Sequence, residues 1–378
     1  MPPVEARRLI FDPSLLSDGN RVRLLNDGAE AFPRMLEAIA GARHSVLVEM
    51  YTFGSDSTGK KFAAALAERA KAGVTVRVLY DGLGSREAST SIFQSMRAAG
   101  AGVTPFRPLG WFSLRRRDHR KIVVVDGATA FLGGMNLTDE YAPVSEGGQG
   151  WHDVQIEIEG PEVRDLVTLF AQTWTQEEDD PLFPKGSPEV PAPRRGGVPV
   201  AAIGSDQRPT RKAIGNAYLH ALKNARKRVW IANAYFVPSL KFHRAIRHAA
   251  ARGVDVRILA PVKTDVQPVY YASRALFDGL LRRRIRIFEY QGSVLHAKTS
   301  VIDGVWSSVG SYNLDHLSIL NNLEVTAIVL DEAFAARMEA LFEEDCKNSK
   351  EVKLAEWRRR SPRRILLEKF WFQFRSLL

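Results

Sequence analysis

The sequence predicts an α/β protein made of two similar domains, and an internal repeat is the main observation behind this prediction. Residues 44–81 and 227–260 each read as an apolar strand, a polar break, a helix with apolar residues every three or four positions, a glycine and a second strand. Gly73 and Gly253, which end the two helices, are 180 residues apart, so the repeated unit is a domain. The alternation of strands and helices predicts helical layers packed on a largely buried sheet.

The elements around the repeat suggest where the domains begin and end. Both copies continue into a further helix, near 89–99 and 267–283, and then into a pair of strands. A helix from Pro161 to about Thr175 closes the first half, since proline is favoured in the first helical turn. We therefore expect a first domain over 1–180, a linker rich in proline and glycine over 181–199, a second domain over 200–350 and a tail over 351–378.

Composition and charge indicate where the protein is located and which kind of partner it binds. No apolar run reaches the length needed to cross a bilayer, and the N-terminus lacks the apolar core of a signal peptide, so we expect a cytoplasmic protein. The single cysteine, Cys346, cannot form an intrachain disulfide. A net charge of +10 indicates a polyanionic partner, either nucleic acid or an anionic membrane surface.

One motif occurs at the corresponding place in each half and carries the candidate chemistry. It reads HRKIVVVD followed by GGMN in the first half, and HAKTSVID followed by GSYN in the second. The histidines are 177 residues apart, which matches the repeat, and strand alternation places each histidine on the same face as its lysine. An imidazole, an ammonium and an amide from each half would suit a phosphodiester held between the domains. These candidates are His119, Lys121 and Asn136, and His296, Lys298 and Asn313.

The residues of the motif also have simpler structural interpretations. A single histidine on a strand is usually a surface or core residue, but two in register with matched lysines reverse that expectation. Asp126 and Asp303, which end apolar strands before a glycine, are expected to anchor turns or buried ion pairs. The histidines have no accompanying set of carboxylates or cysteines, and the lysines would repel a cation, so we expect neither a metal nor another cofactor.

The duplicated HxKxxxxD pattern with trailing GGxN and GSxN resembles the phospholipase D superfamily. The segments DHRKIVVVDGATAFLGGMNLTDEY, WHDVQIEIEGP, ANAYFVP and LHAKTSVIDG are similar to those of bacterial cardiolipin synthases, in particular the shorter type without N-terminal transmembrane helices. The resemblance covers roughly residues 20–350. It implies two phospholipase D-type α/β/α sandwich domains related by pseudo-twofold symmetry, with the active site at their interface.

The same resemblance implies a reaction and a role for each motif residue. A phosphatidyl group would pass from one phosphatidylglycerol to another, giving cardiolipin and glycerol through a phosphohistidine on His119, with His296 as general acid and base. The lysines and asparagines of both motifs would hold the non-bridging oxygens, while Gly134 and Ser311 would be structural. A carboxylate on the strand after each motif would orient a histidine, and the matching positions are Asp153 and Glu324.

Two segments rich in arginine and aromatic residues suggest contact with a membrane. The tail from Trp357 onward carries seven basic residues and one acidic residue among many apolar ones, which is typical of an interfacial segment. The second segment, residues 109–117, reads LGWFSLRRR and lies just before the first motif. The alternatives are a tail that packs on the body or is disordered and, for residues 109–117, a packed lid over the site. We expect a peripheral protein on the cytoplasmic side of the bacterial membrane. The predicted membrane-binding residues are Trp111, Phe112, Arg115, Arg116 and Arg117, and Arg363, Arg364, Phe370 and Trp371.

Two other functions compete with phosphatidyl transfer to an anionic phospholipid. A phospholipase D-like hydrolase or nuclease would use the same two histidines, although the aromatic residues beside basic runs favour lipid and make nucleic acid an unlikely partner. A binding module without catalysis is the third possibility, and the intact second copy of the motif argues against it.

Overall fold

The computed structural model describes residues 4–107, 116–179, 181–183, 191–205 and 210–377. The strands are β1 (Ser17–Asn26), β2 (Ser45–Met50), β3 (Thr75–Asp81), β4 (Gly102–Phe106), β5 (Lys121–Val125), β6 (Thr129–Gly133), β7 (Val154–Glu159), β8 (Val198–Ser205), β9 (Arg228–Asn233), β10 (Asp255–Pro261), β11 (Arg286–Tyr290), β12 (Lys298–Ile302), β13 (Trp306–Gly310), β14 (Glu324–Leu330) and β15 (Ser349–Glu351). The helices are α1 (Asp27–Ala40), α2 (Ser57–Lys71), α3 (Thr90–Ala98), α4 (Val163–Glu177), α5 (Ala213–Asn224), α6 (Leu240–Ala251), α7 (Gln267–Arg274), α8 (Phe277–Leu281), α9 (His316–Leu320), α10 (Glu332–Lys347), α11 (Leu354–Trp357) and α12 (Pro362–Gln373).

The strands form one continuous sheet whose two halves have the same strand order. Read outward from the contact between β1 and β8, the first half runs β1-β7-β6-β5-β2-β3-β4 and the second runs β8-β14-β13-β12-β9-β10-β11, with β15 added at the end. The strands of the repeat, β2-β3-β4 and β9-β10-β11, pair in parallel, and the hairpins that follow each motif pair antiparallel. The predicted fold of two α/β domains with pseudo-twofold symmetry is therefore confirmed.

Three large apolar clusters explain why the sheet is covered on both faces. In β2, Val46, Val48 and Met50 pack with α1, α2 and α3, while Leu47 points to the opposite face. A matching cluster joins α5, α6 and α8 to the strands of the second half. The third cluster takes residues from α4, α10 and the strands of both halves. Because the two halves share this core, the seam between them is a packed interior.

The ends of the chain extend across the expected domain boundaries. A 3-10 helix at Val4–Leu9 places Ala6 and Leu9 in the core of the second half, and β8 begins at Val198, inside the expected linker. At the other end, β15 pairs with β11. The boundaries themselves stay a prediction. None of the helices in the described part of the chain is both long and apolar enough to cross a membrane.

The two motif aspartates anchor turns in the same way. Asp126 and Asp303 follow β5 and β12 with φ of 53° and 56°, a left-handed conformation that suits a tight turn. The Asp126 carboxylate accepts hydrogen bonds from the backbone N–H groups of residues 43–45, and that of Asp303 accepts those of residues 226–228. Each aspartate thus ties the hairpin of its motif to the start of the neighbouring repeat strand.

The tail folds back onto the second half. Trp357 is buried against Phe277, with ring centroids 5.1 Å apart. Glu368 of α12 is 2% exposed and lies 3.1 Å from a guanidinium nitrogen of Arg360 and 3.6 Å from one of Arg274. Its ion pairs, together with the packing of α12 on α7, hold the tail helix against the body.

Candidate active site

The two motif histidines meet at the seam, where each motif pairs with the opposite half. The backbone N–H of His119 donates to the carbonyl of Leu323 at 2.9 Å, and that of His296 donates to the carbonyl of His152 at 2.7 Å. Each histidine therefore lies beside the residue that comes directly before the candidate carboxylate of the other half, Glu324 or Asp153. This backbone pairing brings the two motifs into one site.

The carboxylates reach the histidines across the seam. Nδ1 of His119 lies 3.0 Å from Oε2 of Glu324, and Nδ1 of His296 lies 2.7 Å from Oδ2 of Asp153. Both carboxylates are fully buried. A carboxylate on Nδ1 fixes the ring orientation and the tautomer, which for His119 leaves Nε2 available to a substrate.

Each motif lysine lies beside its own histidine. Nζ of Lys121 donates to the carbonyl of His119 at 2.8 Å and lies 4.9 Å from the ring centre of Tyr51. Nζ of Lys298 lies 2.7 and 3.0 Å from the two ring nitrogens of His296. Burial lowers the pKa of Lys121 to about 7 and that of Lys298 to about 8. A bound anion such as a phosphodiester would favour the charged form of both.

The two carboxylates differ in their hydrogen bonds and in their ionisation. The hydroxyls of Ser311 and Ser318 donate to Glu324 at 2.5 and 2.7 Å. Burial raises the pKa of Glu324, but the neighbouring His119 and Lys121 and the hydrogen bonds outweigh it, so the net shift is downward. Burial raises the pKa of Asp153 to about 6, where Lys298 and the Val154 N–H only partly oppose it.

Gly134, the counterpart of Ser311, explains this difference. A Cβ at Gly134 would come within 2.3 Å of Oδ2 of Asp153, so no side chain fits there. The shorter carboxylate of Asp153 occupies the space beside the strand, and no hydroxyl from that position can reach it.

Burial also lowers the pKa of both histidines, and the adjacent Lys298 lowers that of His296 further. Both imidazoles are therefore neutral at neutral pH before an anion binds.

The motif amides line the same site with different partners. Oδ1 of Asn136 accepts from the Thr52 N–H at 3.1 Å, and its amide donates to the Tyr141 hydroxyl at 3.1 Å. That hydroxyl lies 3.1 Å from Nδ1 of His296. Asn313 is 2% exposed, and within the described part of the chain its Oδ1 has no hydrogen-bond partner.

A cavity of about 390 Å³ opens above the histidines. Sequence reasoning missed several of its lining residues, although Tyr51 and Tyr235 follow the first strand of each repeat and Tyr141 and Trp151 follow the first motif. Their position just after the C-terminal end of a repeat strand could have indicated Tyr51 and Tyr235 as residues of the site. Four aromatic residues of the lining contact the histidine rings: Tyr51 contacts His119, and Tyr141, Trp151 and Tyr235 contact His296. Apolar residues also line the cavity, namely Val266, Val269, Leu317 and Leu377.

Comparison with known proteins identifies the family. Residues 35–174 and 218–346 match the family model described as cardiolipin synthase, PLD-like domain. The chain belongs to the cardiolipin synthase family. The probable cardiolipin synthase YwiE of Bacillus subtilis is 34% identical over 88% of this chain and 67% of its own length. A cardiolipin synthase of Geobacillus sp. (strain WCH70) is 36% identical over 90% of this chain and 68% of its own length. The predicted family and its enzyme class, a phosphatidyltransferase of the phospholipase D superfamily, are confirmed.

The fold of this family member also matches a solved structure. The crystal structure of phosphatidylserine synthase from Haemophilus influenzae Rd KW20 superposes with a TM-score of 0.74 and covers 94% of this chain and 95% of its own. Sequence identity is 15%, so the likeness concerns the fold alone.

The predicted membrane-binding residues have different surroundings. Trp111, Phe112 and Arg115 lie outside the described residues. Arg117 was expected to meet lipid phosphates, but it is buried, with Nε 3.5 Å from Oδ2 of the buried Asp81. Arg116 is half-buried, and Trp371 packs against Val237, Val269 and Ala272. Arg363, Arg364 and Phe370 are exposed on α12.

Proposed function

We propose that this member of the family transfers a phosphatidyl group from one phosphatidylglycerol to a second at the crossed histidine site, giving cardiolipin and glycerol. The observation that carries the proposal is the pair of buried histidine–carboxylate contacts made across the seam beside two lysines. This arrangement offers one neutral imidazole for attack, a second for proton transfer and two cations for the phosphate.

In the first step, Nε2 of His119 attacks phosphorus. The P–N bond forms as the bond from phosphorus to the glycerol oxygen breaks, and His296 gives a proton to that oxygen. Glu324 stabilises the imidazolium character that develops on His119. Because the substrate anion favours protonated groups nearby, its binding raises the proton affinity of His296 and of both lysines.

In the second step, a hydroxyl of the acceptor phosphatidylglycerol attacks the phosphohistidine. His296 takes the hydroxyl proton, the new P–O bond forms, and the P–N bond breaks to restore neutral His119. The phosphoramidate bond retains transfer potential, so no nucleotide is needed. The lysines and the amides of Asn136 and Asn313 would hold the non-bridging oxygens in both steps.

An apolar rim beside the cavity is the proposed contact with the membrane. We define it as the exposed side chains of Leu317 and Leu320 on α9 and of Phe370, Phe374 and Leu377 at the tail. The 3-10 turn Arg375–Leu377 packs on α9, and Leu317 and Leu377 line the cavity itself. Exposed Arg363 and Arg364 lie on the same helix as Phe370. Acyl chains could thus stay near the bilayer, on its cytoplasmic side, while the headgroup enters.

The test uses purified full-length protein and vesicles that contain phosphatidylglycerol. We expect cardiolipin and free glycerol in equal amounts, loss of both in His119→Ala and His296→Ala, and unchanged activity in His248→Ala, which alters an exposed histidine on α6. Formation of phosphatidic acid alone would show a hydrolase, and cleavage of single-stranded DNA without any lipid product would show a nuclease. Either result would overturn the proposal.

A further inference from the structure

A second cavity opens beside the active site on the side of the first half. It measures about 540 Å³ and lies between the segment after β2 and the loop after β3. The wall between this annex and the active-site cavity consists of Tyr51, Thr52, Thr138 and Glu140, which line both. The annex therefore lies directly beside the space above the histidines.

Glu140 is the charged residue of this shared wall. Its Oε2 is buried and has no hydrogen-bond partner among the residues that the structure describes. A buried carboxylate oxygen without a donor is costly, and an alcohol hydroxyl would satisfy it with a charge-assisted hydrogen bond. The polar groups deeper in the annex are less available, because the Ser85 hydroxyl already contacts Phe53 and Tyr51 and both carboxylate oxygens of Asp56 accept backbone N–H groups.

Arg86 provides a cation at the other side of the annex. Its guanidinium lies 3.4 Å from the carboxylate of Glu87, and the two side chains are 60% and 87% exposed. An exposed pair of this kind is held weakly, so the guanidinium is free to turn toward an anion in the annex. The annex thus combines a hydroxyl acceptor next to the site of reaction with an anion-binding group further out.

We infer that the annex binds the acceptor, a phosphorylated polyol headgroup, with its hydroxyls on Glu140 and its phosphate near Arg86. The inference rests on the proposed function, because it places the second phosphatidylglycerol of that reaction. The acceptor hydroxyl then reaches the phosphohistidine from the annex, while the diacylglycerol portion of the phosphatidyl group held on His119 extends toward the apolar rim. A carboxylate at this point also disfavours acceptors that carry their own carboxylate.

The experiment follows three products from the same vesicles. Cardiolipin measures transfer to phosphatidylglycerol, incorporation of labelled free glycerol measures transfer to an acceptor without a phosphate, and phosphatidic acid measures transfer to water. In Glu140→Gln, we expect both alcohol transfers to fall roughly tenfold relative to hydrolysis, the effect of weakening one charge-assisted hydrogen bond. In Arg86→Gln, we expect cardiolipin formation to fall by a similar factor while glycerol incorporation is unchanged. Glu68→Gln is the matched control, because Glu68 on α2 is an exposed glutamate that also pairs with an arginine but lines neither cavity, and it should retain the wild-type ratios.

The outcomes separate the inference from the function on which it rests. Wild-type ratios in Glu140→Gln would overturn the acceptor assignment, and so would loss of the initial phosphoenzyme burst from an activated diester, because Glu140 would then act in the first step. Equal losses of both alcohol transfers in Arg86→Gln would overturn the phosphate contact. Absence of cardiolipin from the wild-type protein, with phosphatidic acid still formed, would instead overturn the proposed function.

Discussion

The crossed carboxylates predict that Glu324→Gln and Asp153→Asn impair different steps of the reaction. Glu324 contacts the proposed nucleophile His119 at 3.0 Å, whereas Asp153 contacts the proposed acid and base His296 at 2.7 Å. Each substitution removes the carboxylate charge and with it the charge-assisted hydrogen bond that stabilises positive charge on the ring. The loss is about 1.5–3 kcal/mol, which corresponds to roughly 10- to 150-fold in the rate of the step concerned.

The assay uses a p-nitrophenyl phosphodiester, whose leaving group needs little protonation. In Glu324→Gln, we expect the burst of p-nitrophenol and the steady-state rate to fall together, because attack by His119 is impaired. In Asp153→Asn, we expect the burst rate to stay within about threefold of the wild type, since leaving-group protonation contributes little here, while the steady-state rate falls at least tenfold. A normal burst in Glu324→Gln together with a lost burst in Asp153→Asn would reverse the roles of the two histidines. Equal effects on both phases in both variants would refute the division of roles.

Three further predictions concern charge. The lowered pKa values of Lys121 and Lys298, about 7 and 8, mean that the charges of the free enzyme are lost over this range. For a p-nitrophenyl phosphodiester, whose leaving group needs little protonation, kcat/KM should therefore fall as pH rises through 7 and 8, whereas kcat should persist to higher pH because bound substrate stabilises the charged lysines. Charge reversal of Arg363 and Arg364 by substitution with glutamate should reduce sedimentation with anionic vesicles at low salt. The same substitution of two lysines on the exposed face of α2 should reduce sedimentation less, and equal losses would argue against a specific role of α12. His152 lies 2.7 Å from Asp27 and 3.0 Å from Asp345, and the hydrogen bonds to these partners outweigh burial and raise its pKa from 6.5 to about 10. The stabilisation from its charge is therefore fully present below pH 6.5 and is lost as pH rises through 10. His152→Ala should lower the free energy of unfolding, measured by urea denaturation, by on the order of 3 kcal/mol at pH 7 and should flatten this pH dependence.

The repeat made the fold and the motif histidines predictable. Apolar periodicity and the matched glycines indicated the parallel strands of both halves, and the strand register of the motif placed His119 and Lys121 near each other. The aspartates that end the motif strands were also expected as turn anchors, and three backbone N–H groups contact each of them. These features depend on local sequence and on a pattern that occurs twice.

Other features depend on contacts that no local pattern encodes. The exchange of carboxylates between the halves arises because Leu323 pairs with Asp118 and Leu295 pairs with His152, and these bridges join segments about 140 to 200 residues apart. The burial of Arg117 follows from the position of Asp81 at the end of β3. The packing of Trp371 depends on an apolar cluster that includes Val269 and Ala272 of α7, far from the tail in sequence.

The asymmetry between two similar halves suggests why each histidine has its own task. A nucleophilic histidine needs a carboxylate that stays ionised while positive charge develops on the ring, and Glu324 has two serine hydroxyls that favour this state. A histidine that must alternately give and take a proton needs a partner whose proton affinity is closer to its own. Asp153, with a pKa raised to about 6 and with Gly134 in place of a serine, meets that requirement.

Replacing Ser311 by alanine should therefore raise the pKa of Glu324 and slow the attack step, while proton transfer by His296 continues. If the rate of the p-nitrophenol burst is measured against pH, this change would appear as a shift of the acidic limb of the profile to higher pH. An unchanged limb would mean that the serine hydroxyls only fill space.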